Sequence, residues 1–406
     1  MRIIVVLFFL ISLGYCSYIN KKNLFNLKLI SILSFGLIFI LPLISPYSSQ
    51  IWLNDDKFLT IIIFCNLILI LPHKKYFRLT KHKYILREKI VAPSFIILSI
   101  YFFYFSILKL SQNNFNLIQI LILDRVEEYL DNAEKFDDLT AKINYFLQIF
   151  YVVFMFYYAT KKRYLFSLFG FLNILLFIIL HTHTRFILLS YLILPIIYYN
   201  SYHKKISKKT IIILITMAGL FLSITNFIRT GAIDSISFDN PTKLVLTQIE
   251  IKAVEDFYDI YSKVNDGQID YDHGKQFLYY LPLTFIPRYI WPNKPIVSYF
   301  WRLTKEVSGS YPGRNNFVLT STIFGEGYHQ GGLLGIFIVL SLYFIVANTF
   351  INYLSNIQYF DPFIWIFLIH VPMDFRGALS SLIPTTVFTF FVVLLISKFT
   401  HIKIHK

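Results

Sequence analysis

The chain is poor in charge and nearly devoid of cysteine. Of its 406 residues, 15% are Asp, Glu, Lys or Arg and two are cysteines, where soluble proteins carry about a quarter charged residues. With 56% apolar residues and a mean hydropathy of +0.58, this scarcity excludes a single water-soluble domain. Cys16 and Cys65 both lie inside apolar runs, which excludes a disulfide framework and redox chemistry. Also missing are a Walker A loop, a GxSxG elbow, an HExxH helix and any Cys/His spacing suited to a metal. No internal repeat of the kind common in transporters is visible.

What is present is a series of apolar blocks, each about as long as a helix that crosses roughly 30 Å of hydrocarbon. Spans are expected near 3–19, 29–45, 58–72, 90–110, 143–160, 164–181, 186–200, 210–228, 333–350, 362–373 and 379–397. The fold class is therefore an all-α polytopic transmembrane bundle of about 11 spans with a large, partly helical extracytoplasmic loop. Its regions are 1–228 (eight spans), 229–332 (the large outer loop) and 333–406 (three spans and a tail). The first block reads as an uncleaved helix: Tyr15 stands where a signal peptide needs a small residue.

Charge sorts the connections into two sets. Lys21, Lys22 and Lys28, the 73–89 segment, Lys161 to Arg163, the lysines of 204–209 and the tail after Lys398 form one set. Together with the link containing Asp361 it holds 20 Lys/Arg against 2 acids, and the rest of the chain holds 18 against 21. By the positive-inside rule the basic set is cytoplasmic, which puts the N-terminus outside and the C-terminus inside. Orientation thus accounts for the net charge of +15, and nucleic acid is not expected as a partner.

Two outer segments exceed mere connections. Within 111–142, Ile118, Ile122, Val126, Tyr129, Ala133 and Phe136 recur at helical steps opposite Asp124, Glu127, Glu128, Asp131 and Glu134. This predicts a surface-lying amphipathic helix over 116–136. The second segment, 229–332, is long enough to be functional. Residues 243–264 look helical, and the run QFLYYLPLTFIPRYIW (276–291) is apolar but too short and too Pro-broken to span. It is expected at, or dipping into, the membrane interface, where Tyr279, Tyr280, Tyr289 and Trp291 fit the headgroup level.

Cations stand at outer span ends: Arg185 after His181-Thr-His183-Thr184, Arg229 before Thr230-Gly231, and Arg376 before Gly377. An arginine near membrane depth is costly and usually faces a polar cavity. The outer loop adds PRYIWPNKP (287–295), with Arg288 and Lys294, and FGEGYHQGGLLG (324–335), with Glu326. Guanidinium groups converging on one pocket would grip a pyrophosphate, because the planar fork matches phosphate oxygens in bidentate fashion.

This order of Thr-Arg, Arg-Thr-Gly, PRYIWPNKP, FGEGYHQGGLLG and a late Arg-Gly resembles the Wzy-type O-antigen or capsule polymerases over roughly 180–380. The resemblance implies a GT-C-like glycosyltransferase at the outer face of the bacterial inner membrane. Such an enzyme transfers a glycan from undecaprenyl pyrophosphate to the non-reducing end of another lipid-linked repeat unit, without ATP, nucleotide sugar, metal or other cofactor. It implies lipid-linked glycans and the bilayer as partners, together with a chain-length regulator and a repeat-unit flippase. Carried over, Arg185, Arg229, Arg288, Lys294 and Arg376 would bind the pyrophosphate. Arg288 and Arg376 would also stabilise the leaving group, and Glu326 would orient or deprotonate the acceptor hydroxyl. An O-antigen ligase and a flippase or transporter of lipid-linked sugars stay open as alternatives.

Other leads are weaker. His181 and His183 lie on different faces of a helix and make a poor metal pair. His273 and His329 could each serve as a base, but no spacing selects one. Asp270-Tyr271-Asp272 imitates the DxD of nucleotide-sugar enzymes on the side where such donors are absent. Asn54-Asp55-Asp56 reads first as a solvated turn, and so does Arg314.

Overall fold

The computed structural model describes residues 1–19, 27–44, 50–71, 84–112, 115, 138–181, 191, 251–286, 290–309, 319, 322–360, 364, 367–368, 371, 375–377 and 379–403. They are overwhelmingly helical. Among the described residues, four helices are long and apolar enough to cross a membrane: Leu27–Ile44, Glu88–Gln112, Tyr164–His181 and Thr322–Leu354. Shorter apolar helices cover Arg2–Tyr18, Leu147–Thr160 and Leu382–Phe391. The helices match the spans expected from 3–19 through 164–181 and at 379–397. The amphipathic helix expected over 116–136 and the span at 210–228 lie outside the described residues, as do nearly all of 186–200 and most of 362–373.

Several helices turn apolar stripes outward, the reverse of a soluble protein. Ile3, Ile4, Leu7, Leu10 and Ile11 are exposed along Arg2–Ile19, with Ile3 at 76%. On Tyr164–His181 the same holds for Leu165 (82%), Phe166, Leu168, Phe169 and Leu172. Contiguous apolar stripes of this size on a helix surface suit hydrocarbon and are rare in water.

The chain divides into two compact units that do not follow the three sequence regions. One comprises Met1–Phe77, Asn240–Phe350 and Val371–Val387; the other comprises Arg78–Asp239, Ile351–His370 and Phe388–Lys406.

In the first unit, Asp55 starts the helix Asp56–Ile70 by accepting from the N–H groups of Lys57 (2.9 Å) and Phe58 (3.1 Å), the usual work of an N-cap. This settles Asn54-Asp55-Asp56 as a helix start. Arg2 donates to the Leu53 carbonyl (2.9 Å) and to Asn54 Oδ1 (2.6 Å). Lys28 reaches the carbonyls of Ile70 and Leu71 at the far end of that helix. Arg2–Ile19 and Asp56–Ile70 therefore run parallel to each other, and the helix that begins at Leu27 runs antiparallel to Asp56–Ile70. The helix Ile251–Asn265, expected over 243–264, buries Ala253, Val254, Phe257, Ile260, Tyr261 and Val264 on one face. Phe257 meets Phe58 (5.1 Å between ring centres) and Phe39 (6.2 Å), and Phe39 also meets Phe324 (5.2 Å). Ile251–Asn265 and Phe324 are thus bound to the helices Leu27–Ile44 and Asp56–Ile70 through aromatic rings.

In the second unit, three helices share a buried polar knot. Ser99 Oγ lies 2.8 Å from Tyr151 OH, and Asn173 Nδ2 donates to the Ser99 carbonyl (2.9 Å) and to Tyr151 OH (3.2 Å). Interhelical hydrogen bonds of this kind hold helices together where apolar burial against lipid gives no driving force. At one end, Lys161 pairs with Glu88 (2.7 Å), and Thr160 with Tyr359 (3.2 Å). Nearby, Gln358 accepts from the Leu86 N–H (3.1 Å). The strand Tyr84–Leu86 pairs antiparallel with His401–Lys403, a small sheet that the all-α expectation did not include. All four segments belong to the basic set of connections, and they meet at one end of this unit.

Candidate functional site

Three stretches of the first unit place polar side chains at helical steps: Asp272 and Gln276; Tyr299, Arg302 and Glu306; Glu326, His329 and Gln330. The last set sits on a short helix that the glycines of FGEGYHQGGLLG make possible. Helical geometry breaks at Gly331 and Gly332, and Gly332 has φ 64° and ψ −142°, a conformation for residues without Cβ. The chain then folds back so tightly that a Cβ on Gly335 would stand 2.1 Å from the Gly327 carbonyl oxygen, and one on Gly327 would stand 2.7 Å from Ile336 Cα. The long helix proper begins after this break, where the ninth span was expected.

The fold-back delivers His329 and Gln330 to Asp272. Asp272 Oδ2 accepts from the Gln276 N–H (2.8 Å) and from Gln330 Nε2 (2.9 Å), and the Asp272 N–H donates to the His329 carbonyl (2.8 Å). Arg302, only 8% exposed, stands 3.7 Å from Asp272 Oδ2 and donates through Nη2 to Gln276 Oε1. Its guanidinium lies 3.5 Å from the centre of the Tyr280 ring, a cation–π contact in a largely desolvated place. Arg302 Nε and Gln330 Oε1 are buried without a hydrogen-bond partner among the described residues.

His329 joins the same cluster. Its Nε2 lies 3.2 Å from the Asp270 carbonyl oxygen and 3.5 Å from Glu306 Oε2, and its Nδ1 lies 3.2 Å from Tyr299 OH. A carbonyl only accepts, so Nε2 carries the proton and Nδ1 of the neutral ring receives the tyrosine hydroxyl. Glu306 has a side chain 42% exposed. Burial pushes its pKa above the ordinary carboxylate range, Arg302 and Lys275 pull it down, and Asp272 adds to the rise. The result is a partly accessible carboxylate that is a better base than a free glutamate.

Glu326 is placed differently from the expectation of a base. It is fully buried, and its carboxylate accepts from the backbone N–H groups of Leu379 and Ser380. It thereby caps the helix Leu379–Thr400, a favourable place for a negative charge. Arg376, half-buried, stands three residues before Leu379, so two of the expected site residues fall in one neighbourhood.

Lys294 donates to the carbonyls of Ile286 (2.7 Å) and Leu283 (3.3 Å). Two of its three N–H donors are thereby directed at the protein's own backbone. Arg185, Arg229 and Arg288 lie outside the described residues, as do His183 and Arg314. His181 Nδ1 sits 3.1 Å from the Phe177 carbonyl and its ring stacks on Phe177, the arrangement of a structural histidine.

No family model, curated protein or solved structure matches this chain.

The residues that sequence reasoning set aside are those that converge: Asp272 was discounted as a stray DxD, His329 was one of two unselected histidines, and Arg302, Gln276, Glu306 and Gln330 were not singled out. A signal was available. Each pair or triplet repeats at three or four residues, the spacing that puts side chains on one edge of a helix.

Proposed function

We propose that the chain is a Wzy-type repeat-unit polymerase. It is a glycosyltransferase that joins undecaprenyl-pyrophosphate-linked oligosaccharides at the outer face of the bacterial inner membrane. In this reading about eleven spans form a GT-C-like bundle with the N-terminus outside and the C-terminus cytoplasmic. The observation that carries the reading is the fold-back of FGEGYHQGGLLG, the segment richest in the resemblance. It brings His329 and Gln330 into one buried cluster with Asp272 and Arg302, while Glu326 fixes the helix that follows Arg376.

The acceptor hydroxyl attacks the anomeric carbon of the donor glycan, its proton passes to a base, and the carbon–oxygen bond to pyrophosphate breaks. Glu306, raised in pKa, partly exposed and backed by His329, is the base. Arg288 and Arg376 take up the charge on the departing pyrophosphate. Lys294 shapes the Arg288 loop, and Glu326 positions Arg376.

The test is electrophoresis of surface glycan from a deletion strain with and without the gene. A single capped repeat unit in the deletion strain, restored to long chains by the gene, is the expected result. Free long chains on the carrier lipid would point to a ligase, and scrambling of lipid-linked sugar by purified protein without chain growth would point to a transporter. Within the restored strain, Arg288→Ala and Arg288→Lys should both express and both lose long chains, because lysine offers only a point charge.

A further inference from the structure

The segment that begins at Gln276 is inside out. Gln276, polar, is 1% exposed and holds Arg302 and the Val297 carbonyl, and Tyr280 lies over the Arg302 guanidinium. The same segment exposes Leu278 (82%), Tyr279, Phe285, Ile290 and Trp291. An element that buries its amide and its cation contact while presenting leucine, phenylalanine and isoleucine outward has the polarity expected against lipid, not against water.

The backbone agrees. After the turn Leu281–Leu283 the N–H groups of Thr284, Phe285 and Ile286 each bond a carbonyl three residues back. The carbonyls of Leu283 and Ile286 receive the Lys294 ammonium. Pro282 has no N–H to satisfy. Backbone polar groups closed off in this way are what a non-spanning segment needs at membrane depth.

We infer that the face formed by Leu278, Tyr279, Phe285, Ile290 and Trp291 is seated in the outer headgroup and upper acyl layer of the membrane. The partner is lipid and not a second protein. The mixture of rings with polar edges (Tyr279, Trp291) and pure hydrocarbon (Leu278, Ile290) suits the headgroup boundary. The exposed Lys275 at the start of the segment suits lipid phosphate. The same compact unit contains Leu27–Ile44 and residues 322–350 of Thr322–Leu354, two helices long and apolar enough to cross the bilayer. Because Gln276 and Tyr280 on the inner side of the segment touch Arg302, the cluster of Asp272 and Arg302 lies directly beneath a lipid-seated strap. A substrate with a lipid carrier then reaches it sideways from the bilayer. The seating itself holds whichever reaction the cluster performs.

The test uses the full chain in phosphatidylcholine/phosphatidylglycerol nanodiscs. Leu278→Cys and Ile290→Cys, each labelled with a bimane, are compared with Asp266→Cys, an exposed position of the same unit. The native Cys16 and Cys65 are fully buried and remain in place. Lipids brominated high on the acyl chain should quench the probes at 278 and 290 at least threefold more than the probe at 266, and aqueous iodide should show the reverse order. Iodide quenching at 278 and 290 equal to that at 266 would overturn the inference. So would efficient disulfide cross-linking between copies through Leu278→Cys, which would make a second copy the occupant. Glycan length does not enter this measurement, so its failure is separate from failure of the polymerase reading.

Discussion

The Glu326 carboxylate accepts the backbone N–H of Leu379, 53 residues away in sequence, and a second bond from the Ser380 N–H completes a cap on the helix Leu379–Thr400. A carboxylate buried on two helix N–H groups is committed to structure, and its effect on any reaction passes through the helix start that it fixes, three residues after Arg376.

Replacing this group tests the commitment. Glu326→Gln keeps the size but turns one acceptor into a donor that faces N–H groups. A buried polar group left unsatisfied costs about 1–3 kcal/mol, so the variant should unfold at lower temperature in detergent and make shorter glycan. An unchanged melting temperature would remove the capping role.

The fold-back makes a sharper demand. Gly335→Ala would drive a methyl group into the Gly327 carbonyl, and Gly332→Ala would force φ 64° on a residue with a Cβ. Gly331 has φ 168°, an extended value open to any residue, and nothing within 4 Å of an added Cβ. Gly335→Ala and Gly332→Ala should therefore lose most monodisperse protein in size-exclusion chromatography, and Gly331→Ala should retain it. Equal recovery of all three would mean that the helices do not meet at Gly327 and Gly335.

Arg302 and Asp272 depend on each other. Removing one partner of a buried pair leaves the other charge uncompensated at about 3–5 kcal/mol. Arg302→Met should destabilise strongly, and the double variant Arg302→Met with Asp272→Asn should recover part of the loss. Thermal unfolding of the four proteins in a double-mutant cycle measures the coupling, and additive losses would show that the pair does not interact.

Glu306 should separate stability from activity. Its folded pKa is raised, chiefly by burial, so the folded state binds this proton more tightly than the unfolded chain does. Stability is therefore lost as pH rises from the unfolded value, about 4.3, through the folded one, and the loss is complete above both. Glu306→Gln removes this penalty. It should match wild type in thermal unfolding at acidic pH, exceed it at neutral pH, and still fail to extend glycan chains. Long chains made by the variant would exclude Glu306 as the base.

By itself the sequence determined where the described apolar helices lie and which of their ends meet. Hydrophobic run length and the placement of Lys and Arg are local properties that the bilayer reads directly. The meetings of Arg2 with Asn54, of Lys28 with the Leu71 carbonyl and of Lys161 with Glu88 follow that pattern. Tertiary structure alone decided the site. Asp272, Arg302 and Gln330 belong to three short elements spread over nearly sixty residues of chain, and only the glycine-dependent reversal at 331–332 turns their polar edges toward one another. It also decided the role of Glu326, because a carboxylate in a sequence looks the same whether it will meet a substrate hydroxyl or the open N–H groups of a distant helix.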